Sequence, residues 1–210
     1  PGVVFSDAHG TYNNTLINTG AIIGRGSPAV PFGGGNDLLQ IGVGASFPGA
    51  VDGGPTVGIS HYNTLEFLSG VNSSFSNFTN FQVVAIDSGA TWTNAGTLSG
   101  VNVSNAGLLI NQGSLDSGVY LASTPVITGG TTSYNGGVLV NNSGGIITNT
   151  GHSYVGVYGV GSISNAGTIS GTVGDGIFLR AGSSYINSGT VTNAATGTIT
   201  GYSAGIHVAG

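Results

Sequence analysis

Few side chains in this sequence can do acid–base or metal chemistry. The seven acids are Asp7, Asp37, Asp52, Glu66, Asp87, Asp116 and Asp175, and no two stand within ten residues of each other. Hydrolysis of a glycosidic bond needs two carboxyl groups about 5–10 Å apart, one to donate a proton and one to attack or to activate water. The spacing assembles no such pair within one stretch of chain, although contacts between successive repeats stay open. Asp116 and Asp175 each precede a similar Gly-apolar segment, and the expectation is that the acids occupy corners facing water. His9, His61, His152 and His207 lack partners at metal-ligand spacing and are expected on the surface.

Asp87-Ser88-Gly89 and Asp116-Ser117-Gly118 look superficially like nucleophile motifs, but neither lies in a Gly-x-Ser-x-Gly context. Gly33-Gly34-Gly35-Asn36-Asp37-Leu38 is similar to one turn of a calcium-binding Gly/Asp repeat. Such sites need adjacent copies that share each ion, and one copy stands here. There is no Cys for a thiolate site and no Lys for a phosphate loop. No catalytic, cofactor or metal site is therefore expected, and the chain reads as non-enzymatic.

With 2 Arg, no Lys and a net charge of -5, the chain lacks the clustered cations that phosphate binding requires, which excludes nucleic acid as the natural partner. A polybasic membrane-surface helix fails for the same reason. No apolar run is long enough to span a membrane as a helix. Tyr120, Tyr134, Tyr154, Tyr158, Tyr185 and Tyr202 are candidates for an exposed aromatic stripe suited to glycan or subunit contacts.

The elements that would carry these residues are strands. Gly, Ser, Thr and Asn make up about half of the 210 residues, yet 57 are Val, Ile, Leu or Phe and the mean hydropathy is positive. Disordered chains combine low hydrophobicity with high charge, and this one has neither. Helix formers are scarce, while β-branched and turn-forming residues abound, so the chain is all-β. Two units recur. One is Asn-x-Gly followed by an alternating segment, as in Asn18-Thr19-Gly20, Asn94-Ala95-Gly96-Thr97-Leu98, Asn165-Ala166-Gly167-Thr168-Ile169 and Asn187-Ser188-Gly189-Thr190-Val191. The other is Gly plus a short apolar run beginning at Gly118, Gly137, Gly156, Gly176 and Gly205. The intervals between those glycines are 19, 19, 20 and 29 residues, and Gly197-Thr198-Ile199-Thr200-Gly201 reads as a duplicated β segment that lengthens the last one.

A period near 20 is too short for helical repeats and fits one coil of a parallel β-helix, whose stacked coils bury alternate Val, Ile and Leu. Gly and Asn suit the corners, and Asn at a repeated corner can form an amide ladder from coil to coil. An antiparallel sandwich is the competing fold, but the Asn-Gly hairpin signal occurs at Asn135-Gly136 alone. The expected organisation is one β-helix over 1–210, with irregular coils over 1–90 and regular repeats over 91–210. Residues 24–36 and 47–55 read as loop excursions.

Several segments are familiar. Gly34-Gly35-Asn36-Asp37-Leu38-Leu39-Gln40-Ile41, with Gly53-Gly54 and Thr64-Leu65 after it, resembles the passenger domains of bacterial autotransporters. So does Phe78-Thr79-Asn80-Phe81-Gln82-Val83-Val84-Ala85-Ile86 leading into Ser88-Gly89-Ala90-Thr91-Trp92-Thr93, and the later Asn-x-Gly units look like that family's filler repeats. The resemblance covers most of residues 18–210. It implies a right-handed parallel β-helix, exported through a C-terminal outer-membrane barrel and displayed on, or released from, a Gram-negative cell. No barrel follows here, so the sequence looks like a passenger portion alone.

The functional expectation is an extracellular structural or adhesive β-helix that associates with itself through an uncharged surface. A glycan-binding adhesin module is the alternative, and a polysaccharide-acting enzyme is the third reading.

Overall fold

The computed structural model describes residues 1–6, 12–25, 28–55, 62–128, 131–149, 156–180 and 189–209. It is a parallel β-helix whose coils visit three faces in a fixed order. The first face is a nine-stranded parallel sheet of Thr15–Asn18, Leu38–Ile41, Thr64–Phe67, Val83–Ile86, Asn102–Asn105, Val119–Leu121, Val157–Gly159, Ile177–Arg180 and Ile206–Ala209. The chain then turns to the second face, formed by Asn72–Ser73, Thr91–Asn94, Leu108–Asn111, Val138–Asn141, Ser162–Asn165 and Thr190–Asn193. The third face holds Thr97–Leu98, Ser114–Leu115, Ile146–Asn149, Thr168–Gly171 and Thr198–Gly201.

The alternation of the sequence fixes what points inward. On the first face Leu39, Leu65, Val84, Val103, Val119, Val157 and Ile177 stack as one column, all buried. Trp92, Leu109, Leu139 and Ile163 form the second-face column, and Leu98, Leu115, Ile147 and Ile169 the third. A single coil has no apolar partner of its own, so each column becomes dry only by stacking.

At the second-to-third corner the expected amide ladder is present. Asn94 Nδ2 donates to Asn111 Oδ1 (2.9 Å), Asn111 to Asn141 (2.8 Å), Asn141 to Asn165 (2.8 Å) and Asn165 to Asn193 (2.8 Å). Each asparagine also bonds backbone at its own corner, so buried polar groups that would otherwise be costly are paired in series.

Three sequence readings change. The Gly units do not mark one face: Val138–Asn141, after Gly137, lies on the second face, whereas the runs after Gly118, Gly156, Gly176 and Gly205 lie on the first. Val119 pairs with Val157, 38 residues on, because an antiparallel hairpin of Ser123–Thr128 and Thr131–Gly136 is inserted in that coil. Asn135-Gly136 ends a hairpin strand, and Gly129-Gly130 stands between the two strands in the sequence. The segment Thr198–Gly201 is no duplication either, since every later coil has both a second-face and a third-face strand. The long interval from Ile177 to Ile206 comes chiefly from the stretch between Arg180 and Thr190.

The early excursions are shorter than expected. Val30–Pro31 pairs with Val51–Asp52, which pairs in turn with Phe78–Thr79, as a separate three-stranded sheet that takes the third-face place in the N-terminal coils. Phenylalanines fill those coils: Phe32, Phe78 and Phe81 meet edge-on, and Phe67 stacks on Trp92 at 5.4 Å. Between Phe78–Thr79 and Thr97–Leu98 the third face is interrupted, leaving a cavity of about 410 Å³.

Candidate functional site

The outward column of the first face separates into a polar half and an aromatic half. In register it reads Ile17, Gln40, Glu66, Ala85, Ser104, Tyr120, Tyr158, Phe178 and His207. Parallel in-register pairing puts each of these side chains over its neighbour, so aromatic residues one coil apart must meet. Tyr120 stacks on Tyr158 at 5.6 Å and Tyr158 on Phe178 at 5.6 Å, and Phe178 meets His207 edge-on at 4.7 Å. Rings stacked this way cover one another's faces, so the terminal ring matters most. Tyr120 is 47% exposed and is followed in the column by the small Ser104 and Ala85.

Beside Tyr120 and Tyr158 lies a cavity of about 380 Å³, whose polar lining comes from Asn102, Ser117 and Asn149. No charged side chain lines it among the described residues. Its volume falls within the range of small-molecule pockets, and its mix of aromatic wall and a few polar groups is what such pockets share.

At the far end of the column, His207 Nδ1 lies 3.0 Å from Asp175 Oδ2. Asp175 is 8% exposed, and the edge of Phe178 or the imidazole of His207 packs against the other at the column's end. The pair spans 32 residues and had no signal in sequence spacing, because only the register of Ile177–Arg180 with Ile206–Ala209 brings the two coils together.

The polar half holds two carboxyl groups in contact. Gln40 Nε2 donates to Glu66 Oε2 at 2.6 Å, and the Asp87 carboxyl stands close enough to Glu66 to share a hydrogen bond with it when one of the two is protonated. Burial, the charge of Glu66 and the shared hydrogen bond all push the Asp87 carboxyl above its ordinary value of 3.8. A raised folded-state value means that this group favours folding fully below pH 3.8 and loses that contribution as pH rises through the raised value. Asp87→Asn should therefore stabilise the fold at neutral pH and give no gain below about pH 4. Urea unfolding at the two pH values checks this, and equal effects at both would show that the repulsion is absent.

The other described acids serve the corners. Asp52 Oδ1 accepts from Gly54 N and Asn80 Nδ2, and Asp37 Oδ1 from Asn14 N and Nδ2. Burial acts to raise the Asp116 carboxyl, but hydrogen bonds from Gly100 N–H and the Ser99 and Ser117 hydroxyls outweigh it and hold it below 3.8. Asp37 and Asp175 depart from the water-facing expectation: both are buried, since a corner side chain that caps the next coil must turn inward. Asp116 and Asp175 do share the corner before the first face, but they stand two coils apart. Ser117 Oγ donates to its neighbour Asp116 at 3.1 Å, and the one described histidine, His207, pairs with Asp175 and not with a serine.

Of the predicted tyrosines, Tyr120 and Tyr158 join the column. Tyr134 lies on the hairpin, and Tyr202, 83% exposed, follows the third-face strand Thr198–Gly201. Asp7, His9, His61, His152, Tyr154 and Tyr185 fall outside the described residues. The sequence reading missed Phe178 and His207 because it followed tyrosine alone. Comparison with protein-family models, with curated proteins and with solved structures gives no match.

Proposed function

We propose that this chain is a non-enzymatic structural or adhesive β-helix of the bacterial cell exterior, displayed or released like an autotransporter passenger, that associates with copies of itself. The observation that supports this reading is the outer surface of the second face. Its two outward columns are Thr91, Leu108, Val138, Ser162, Thr190 and Thr93, Ile110, Val140, Ser164, Thr192, without a charged residue. Leu108 lies beside Val138 and Ile110 beside Val140, and Val138 is 40% exposed, so aliphatic groups meet water on a flat sheet rimmed by hydroxyls. Charge on a face is a common defence against association, and it is missing here. A second copy supplies the same uncharged, hydroxyl-rimmed surface, and two such faces can dehydrate together without stranding a charge.

Contacts of this kind are insensitive to ionic strength. Sedimentation velocity over a concentration series should show self-association that persists in about 1 M NaCl. The pair Ile110→Lys and Val138→Lys should weaken it by about ten-fold or more, since burying an ammonium is costly. A monomer at every concentration, or assembly that dissolves in salt, would overturn the reading.

The exposed end of the aromatic column, with the uncharged cavity beside it, favours a second reading as a glycan-binding module. The two readings are compatible, because the second face and the first-face cavity are separate surfaces of each coil.

A further inference from the structure

We infer that the cavity at Tyr120 is a subsite for one neutral pyranose ring of an uncharged polysaccharide. This rests on the glycan-binding reading and adds its place and its ligand class. A pyranose presents an apolar C–H face and a rim of hydroxyls, so its site must offer an aromatic surface and uncharged donors and acceptors together. Both meet here. Tyr158 covers one face of Tyr120, while the column beyond Tyr120 continues with Ser104 and Ala85, so among the described residues no aromatic side chain stacks on the other ring face. The stack with Tyr158 and Phe178 holds the ring in place, which lowers the ordering cost of binding against it.

The polar groups suit hydroxyls. Asn102 is exposed at the start of its strand and offers an amide donor and an acceptor. Ser117 Oγ gives its proton to Asp116 Oδ1, so its lone pairs are left to accept from a ligand hydroxyl. The same bond keeps the Asp116 carboxylate occupied with Ser117 and Gly100. Asp116, bonded to the lining residue Ser117, is negative and is not itself among the lining residues, which disfavours uronates and sulfated sugars and leaves neutral hexoses.

Saturation-transfer NMR on the whole chain, with methyl β-glucopyranoside, methyl α-mannopyranoside, methyl β-galactopyranoside and methyl β-glucuronide as probes, tests the assignment. At least one neutral pyranoside should receive saturation from tyrosine protons, and the glucuronide less. Tyr120→Ala should weaken that binding about ten-fold and Asn102→Leu about five-fold, while Tyr202→Ala leaves it unchanged. The near-ultraviolet circular dichroism of the buried Trp92 reports whether each variant is folded. Should Tyr120→Ala misfold, Asn102→Leu alone decides. Undiminished binding in the folded variants, or the glucuronide as the best ligand, overturns this subsite and leaves the glycan reading standing. No transfer to any neutral pyranoside overturns both.

Discussion

Asn141→Leu should destabilise the fold by roughly 3–5 kcal/mol, taking about 1–3 kcal/mol for each buried polar group left without a partner. Leucine has the same four side-chain heavy atoms branched at Cγ and is somewhat bulkier, so the substitution removes hydrogen bonds without opening a cavity. Asn141 sits in the middle of the ladder and is fully enclosed. Its Oδ1 accepts from Asn111 Nδ2, and its Nδ2 serves Asn165 Oδ1, Gly145 O and Thr168 O. All the ladder amides point the same way along the stack, so each bond polarises the next, and a break in the centre weakens both halves. Asn193 ends the ladder in an exposed position, where water replaces what is lost. Asn193→Leu should cost less than about 1 kcal/mol. Guanidinium unfolding of the two variants separates the cases. Similar losses at the two positions would mean that the ladder is a by-product of corner geometry and adds nothing of its own.

The ladder was legible in sequence because a repeated Asn at one corner leaves its side chain a single neighbour to bond. The faces were harder to assign, and Asn-x-Gly shows why. Asn94-Ala95-Gly96 turns from the second face to the third, while Asn105-Ala106-Gly107 turns from the first to the second. In both, the glycine N–H donates to the asparagine Oδ1, at 3.2 and 3.1 Å, so the local chemistry is identical and only strand pairing tells the corners apart. Variable coil length compounds this: Val103 pairs with Val119 after 16 residues, whereas Ile177 pairs with Ile206 after 29. The hairpin at 123–136 made Gly118, Gly137 and Gly156 look like one period of 19 although they belong to two faces. The same uncertainty hid every contact between coils. Glu66 with Asp87 and Asp175 with His207 are adjacent through register, and no spacing rule at fixed period finds them.

The glycines carry a related lesson. A Cβ at Gly113 would come within 2.0 Å of Gly96 O, and one at Gly137 within 2.1 Å of Asn105 O, both on the preceding coil. These residues are glycine because coils approach closely there, which is a demand of stacking and not of the turn itself.

Trp92→Ala should cost about 3–5 kcal/mol, the usual range for removing a large buried aromatic. The indole is fully buried, stacks on Phe67 at 5.4 Å, touches Phe78 at 6.4 Å between centroids, and donates from Nε1 to Phe75 O at 3.0 Å. Its column neighbour in the preceding coil is the small Ser73, and the next is Leu109, so the indole occupies the space where a phenylalanine-filled section gives way to one of Ile, Leu and Val. Truncation leaves a cavity shared by both sections and strands the Phe75 carbonyl. Because each coil of a solenoid touches only its neighbours, the damage should propagate by distance along the stack. Hydrogen exchange in the folded variant should therefore lose protection first in 64–67, 83–94 and 108–111, while 157–159 and 162–165 keep the protection of the parent chain. Equal loss in both groups would mean that the described coils unfold as one cooperative unit, and that the aromatic section does not form a separate layer of stability.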